Sequence, residues 1–235
     1  MQVSHPTFQL KQAGDGGYRI DGGLSFDTQI DGKAVVGEYQ IEVAVSASYP
    51  KMPPTVKETS GHIPLSFHRF TSSNNLCLAA PIEVIRIFYR DKTLDGYVSN
   101  LVLPYLINFQ HQKRYGTLPF GELPHGDEGI LNYYQTRFAT DILPTLRLLK
   151  LLANNKTGCL IKCPCGTGLS IRDCHYQNLK ELSQCYTSRQ FSNELSGILS
   201  WCLERNLITS KSEFTSVSDR RLRRRKLKTL FGRRS

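Results

Sequence analysis

Three thiols and an imidazole fall within thirteen residues of this 235-residue chain, in Cys163-Pro-Cys165-Gly-Thr-Gly-Leu-Ser-Ile-Arg-Asp-Cys174-His175. Few sequence features restrict a fold so tightly. A zinc ion takes four soft or borderline ligands in a tetrahedron. Gly166 and Gly168 lie between the two ligand pairs and let the backbone turn sharply, so that the second pair faces the first. The spacing predicts a small metal module in the C-terminal part, with Cys163, Cys165, Cys174 and His175 as ligands and zinc as the cofactor. Cys174 and His175 are adjacent, and they meet at one ion only if the chain turns there. Cys159 and Cys185 are the alternatives for the fourth ligand.

The rest of the chain reads as an ordinary folded body with a basic arm. Hydrophobic residues make up 40%, enough for a packed core and too many for general disorder. The net charge of +10 is concentrated at the end. From Asp219 onward nine Lys or Arg stand against one acid, so the tail carries about +8 and the body about +2. The polar N-terminus has no apolar signal segment, which predicts a cytoplasmic protein. The greasiest run, residues 142–153, is interrupted by Arg147 and Lys150 and is too short to span a bilayer, so no membrane partner is expected. Seven cysteines without a secretion signal favour metal or catalytic roles over disulfides.

Residues 1–17 read as a loose start. From Tyr18 to Ser48 the pattern is strand-like. Tyr39, Ile41, Val43 and Val45 alternate with Gln40, Glu42 and Ala44, the period of a half-buried strand. Asp31-Gly32 predicts a hairpin turn within this stretch. Tyr49-Pro50-Lys-Met-Pro53-Pro54 is a rigid crossing, followed by a short strand over Thr55–Glu58. After Leu78 the next clear element is a helix over Thr93–Gln110. Its apolar stripe runs through Val98, Leu101, Val102, Tyr105, Leu106 and Phe109, with a kink at Pro104. Further helices are predicted from Gly126 through Phe138, from about Leu143 to Ala153 after a break at Pro144, and around Leu195–Leu207. The fold class is α+β: an antiparallel strand meander with helices, a helical extension and a small metal hook.

Two family resemblances follow. The pattern Cys163-x-Cys165, a glycine-rich spacer, then Cys174-His175 resembles the SEC-C motif, a short zinc-binding hook appended to many proteins. The N-terminal part resembles the ubiquitin-conjugating enzyme fold in its divergent bacterial form. The features that carry this are a strand meander, Tyr49-Pro50 with Pro53-Pro54, then His68, then Cys77-Leu78 nine residues later, then a long helix. Arg69-Phe70 stand where the family has the Pro and Asn of its His-Pro-Asn motif. The resemblance implies a ubiquitin-conjugating-like domain over 1–140. A helical connector then covers 141–158, the zinc module with a helical segment 159–218, and the basic tail 219–235.

The resemblance also implies a chemistry. A conjugating enzyme accepts a ubiquitin-like C-terminus as a thioester on cysteine and passes it to an amine. Cys77 is then the nucleophile, and it needs partial exposure and a thiolate. Asn75, or Asn74 beside it, would supply an amide donor to the oxyanion, and His68 would brace the loop. His125 is a further residue that would approach from the helical side. The implied partners are a ubiquitin-like protein or a nucleotidyltransferase and a possible activating enzyme, in a bacterial phage-defence setting. Read without the family, Cys77 between two leucines is a small buried hydrophobe. The protein is then an inactive binding module whose hook and tail contact partners. The tail, Arg220-Arg-Leu-Arg-Arg-Arg-Lys, suits phosphate neutralisation on nucleic acid, a solvated amphipathic helix or an acidic partner.

Overall fold

In the computed structural model, which describes residues 2–4, 8–14, 16–70, 72–121, 126–156, 160–211 and 214, a two-residue turn sets the frame. Asp31 and Gly32 both take positive φ, 49° and 75°. That is the geometry of the tight hairpin turn whose twist matches the flanking strands. It joins β3 (Tyr18–Ile30) to β4 (Lys33–Val45) in a ladder running from Tyr18 opposite Val45 to Ile30 opposite Lys33. The alternation in β4 is realised: Val35, Tyr39, Ile41, Val43 and Val45 are buried. A short strand, β5 (Thr55–Glu58), pairs antiparallel with β4.

Two stretches of the opening segment, read from the sequence as loose, form strands. β1 (Gln2–Ser4) and β2 (Gln9–Gln12) pair antiparallel with successive stretches of β3 and complete a five-stranded sheet. All four residues of β2 are exposed, so no alternation marks it in the sequence. It is an edge strand held by backbone pairing.

Helices cover one face of this sheet. α1 (Pro81–Arg90) starts with proline in its first turn and buries Ile82, Ile85 and Phe88. α2 (Leu94–Tyr97) is capped by the Thr93 hydroxyl and passes through a π-helical turn at Val98–Val102 into α3 (Leu103–Tyr115). The kink expected at Pro104 falls where the π-helical turn hands over to α3, with the proline in the first turn of α3. Phe67, Tyr105 and Phe109 stack edge-to-face on the inner side of β4, with ring centroids of Phe67 and Phe109 4.8 Å apart.

The chain divides into two compact units, Met1–Leu123 and Pro124–Ser235. The boundary expected at 140 therefore moves. α4 (Gly126–Phe138) packs with α5 (Ile142–Ala153) and α7 (Ser188–Glu204) in the second unit. Pro144 is the third residue of α5, where a missing amide hydrogen costs nothing, so it opens the helix and does not break it. α6 (Tyr176–Cys185) follows the cysteine-rich segment, and Thr187 and Gln190 form a capping box at the start of α7. The core of this unit includes Leu131, Tyr134, Leu149, Phe191 and Ile198. No helix among the described residues is long and apolar enough to cross a membrane. The basic tail, 219–235, lies outside the described residues.

Candidate metal centre and cysteine loop

The hook in the second unit is a small backbone clasp. Cys163 donates its amide to the Leu169 carbonyl at 2.8 Å, and Ile171 donates to Ile161 at 2.9 Å. Between them Gly166 and Gly168 take φ of 89° and 78°, values that L side chains rarely adopt. A second turn follows: the amides of Cys174 and Tyr176 both donate to the Ile171 carbonyl. This turn brings the adjacent Cys174 and His175 to one point, and His175 stands immediately before the first residue of α6.

The four ligand atoms of Cys163, Cys165, Cys174 and His175 all lie within 4.8 Å of one another. Nδ1 of His175 sits 3.2 Å from the Cys163 sulfur and 3.1 Å from that of Cys174. The Cys165 and Cys174 sulfurs are 3.4 Å apart. A tetrahedral ion with bonds of about 2.0–2.3 Å spaces its ligands about 3.5–3.8 Å apart. The cluster could therefore hold a metal ion. Cys185 lies at the far end of α6, ten residues beyond His175, and is not part of the cluster. Cys159 is outside the described residues.

The surroundings favour ligation. Nε2 of His175 donates to the Phe138 carbonyl at 2.8 Å, which fixes the tautomer and leaves the Nδ1 lone pair facing the sulfurs. The Thr167 hydroxyl lies 3.2 Å from the Cys165 sulfur. Burial works against ionisation at Cys165, but the Thr167 side chain and backbone and the neighbouring thiols outweigh it, and the thiol falls to about 6. Burial is also the main reason that Cys163 is pushed up to about 12.

The second candidate site lies in the first unit, on the loop from His68 to Cys77. The loop closes on itself: Phe70 donates to the Asn75 carbonyl at 2.9 Å, Arg69 bridges Leu76, and Cys77 donates to the His68 carbonyl at 2.7 Å. Leu76 also donates to Val56, so the loop is tied to β5. From α3, the buried Tyr105 hydroxyl donates to the carbonyls of Phe67 and His68 at 3.0 and 3.2 Å. His68 thus braces the loop through its backbone carbonyl, and its ring stacks edge-on against Phe67.

Cys77 is half-buried, with its sulfur 4.0 Å from the Ala79 carbonyl. Burial raises its thiol above the ordinary value. The Asn74 amide oxygen accepts from Arg69 at 2.8 Å, and Asn75 enters the loop's bonding through its backbone. Neither asparagine side chain hydrogen-bonds Cys77 among the described residues. His125 lies outside the described residues.

Sequence reading overlooked Glu58 and Arg69. The Glu58 side chain is wholly buried at the end of β5 and pairs with Arg69, itself 4% exposed, at 2.7 Å. Burial alone would raise this carboxyl, but hydrogen bonds from Ser60, His62, Ile63 and Arg69 hold it below its usual value. An acid on the core-facing register of a strand that was itself legible was the available signal.

No family model, no curated protein and no solved structure matches this chain.

Proposed function

We propose that the first unit is a ubiquitin-conjugating-like transferase domain and that the second is a helical module stapled by zinc. In this reading the Cys77 thiolate attacks the carbonyl carbon of an incoming thioester and the donor thiol leaves. An amine then attacks the Cys77 thioester, forms an amide and releases the Cys77 thiol. The carried group is a ubiquitin-like protein or the C-terminus of a partner, in a bacterial defence system of the kind the sequence resemblance implies.

The observation that carries the reading is the placement of Cys77. Its amide is fixed to the His68 carbonyl at 2.7 Å, at the closed end of a loop braced by sheet and helix, and the residue is only partly buried. Fixed backbone with a reachable sulfur is what a positioned nucleophile needs. The raised thiol keeps Cys77 protonated and resistant to oxidation at neutral pH, so acyl transfer should quicken as pH rises. Zinc is the metal proposed for Cys163, Cys165, Cys174 and His175, because three thiolates and one imidazole without an open position match a structural zinc site.

The raised thiol also favours a second reading, in which Cys77 is inert and the protein is a zinc-containing binding module. Its basic tail would then engage nucleic acid or an acidic partner. A chemical acyl donor separates the two. Full-length protein is incubated with a glycyl thioester and then with free lysine. The transferase reading expects the acyl group on Cys77 by peptide mass spectrometry, and its release to lysine. Acylation that ignores Cys77 selects the binding module.

A further inference from the structure

We propose that Glu58 and Arg69 are positioning residues for Cys77, a buried ion pair that locks the cysteine-bearing loop to the sheet. The proposal rests on the reading of Cys77 as the reacting thiol. Its ground is the geometry of the guanidinium. One nitrogen donates to Glu58 at 2.7 Å, at the end of β5, and another donates to the Asn74 side chain at 2.8 Å, across the loop. Asn74 takes a positive φ of 60°, as His68 does at 39°, so this contact holds the loop at one of its two left-handed positions. The backbones of His68 and Arg69 are the strands of the closed loop opposite Cys77 and Leu76. A guanidinium that cannot shift therefore leaves the Cys77 backbone little freedom.

Glu58 is a hub in the same arrangement. One carboxylate oxygen accepts from the Ser60 amide at 2.9 Å and from the His62 amide at 3.3 Å, and the Ser60 hydroxyl donates to it as well. The other oxygen takes Arg69 and the Ile63 amide. One carboxylate thus gathers the end of β5, the following segment and the cysteine loop. A buried ion pair is a poor way to gain stability alone, since a packed apolar pair commonly does as well. Its advantage is direction: a planar fork holds two partners at a fixed angle, whereas a lysine ammonium is a point charge with freely rotating donors. Tyr105 is the titratable group that meets all three: Arg69, Cys77 and Glu58 each act on its phenol, which burial above all raises.

The test uses full-length protein and the rate of Cys77 alkylation by iodoacetamide, followed by peptide mass spectrometry across pH, beside thermal unfolding. The double variant Glu58→Gln/Arg69→Met removes both charges together and leaves none unpaired. We expect it to unfold cooperatively, with Cys77 alkylated on the order of tenfold faster at neutral pH. Its pH midpoint should move down toward the ordinary thiol value, because a loosened loop exposes the sulfur. Arg69→Lys should fall between wild type and the double variant, since it keeps the charge and loses the fork. A folded double variant with the wild-type alkylation profile overturns the proposal. Should the double variant not fold, Arg69→Lys decides in the same way. A wild-type Cys77 that takes no acyl group from a glycyl thioester sinks the transferase reading and leaves this comparison of profiles intact.

Discussion

His175 donates from Nε2 to the backbone carbonyl of Phe138 at 2.8 Å, with the imidazole edge-on to the Phe138 ring. One side chain thereby joins the cysteine cluster to the C-terminal end of α4. Next to it, Asn178 donates to the Arg137 carbonyl and Arg137 pairs with Glu181 of α6. The hook and α6 together close the end of α4, so an ion held in the hook would be coupled to the packing of the second unit.

This coupling is testable by His175→Cys. The variant keeps four ligands and should retain one metal ion per chain by elemental analysis. It cannot donate to Phe138, and metal-loaded protein should lose about 1 kcal/mol in denaturant unfolding, the net worth of one hydrogen bond. Metal affinity of the wild-type protein should fall as pH drops, because protons compete for the thiolates. His175→Cys protein with unchanged stability would remove the hydrogen bond from the account.

The buried pair predicts an acid limit for the first unit. The Glu58 carboxyl is held below its ordinary value in the folded chain. Its contribution is therefore present above the unfolded carboxylate value, about 4.3, and is lost as pH falls through the folded one. Arg69→Met alone strands the carboxylate in the interior and should cost about 3–5 kcal/mol at neutral pH. Urea titrations at pH 7 and below pH 4 check both statements. A loss on Arg69→Met that is as large below pH 4 as at pH 7 contradicts them.

Glu194 predicts the opposite dependence in the second unit. Its carboxyl is raised, burial being the largest cause, and Asp127 adds to the effect. The Tyr134 hydroxyl donates to it at 2.6 Å. A raised folded value means that stability is greatest while the group is protonated and declines as pH rises through the ordinary carboxylate range. Glu194→Gln keeps an acceptor for Tyr134 and removes the charge. The variant should be more stable than wild type at pH 7 and equal to it at pH 4, by thermal unfolding.

Much of this was legible in the residues. Asp31-Gly32 specified its turn, and the alternation from Tyr39 to Val45 specified the buried face of β4, because a strand's period of two is local information. The ligand cluster was legible because its spacing and glycines encode a turn. α1 was missed because its run from Ile82 to Phe88, rich in β-branched and aromatic side chains, carries no strong local helix preference. Packing of Ile82, Ile85 and Phe88 decides it. Glu58 was marked only by its place on the buried register of β5, and its pairing with Arg69 was not legible because it spans eleven residues and exists only once β5 and the loop have met.

Trapping the acyl-enzyme tests the central claim most directly. Full-length protein carrying Cys77→Ser is produced in its native cells, isolated without reductant beside wild type and Cys77→Ala, and its peptide containing residue 77 is read by mass spectrometry. The account predicts a protein C-terminus joined to Cys77 that is released by thiol. Cys77→Ser should carry a more persistent ester, and Cys77→Ala no adduct, with the metal content of all three unchanged. An adduct that survives in Cys77→Ala would contradict the account, as would a wild-type Cys77 that remains a free thiol in cells where conjugation proceeds.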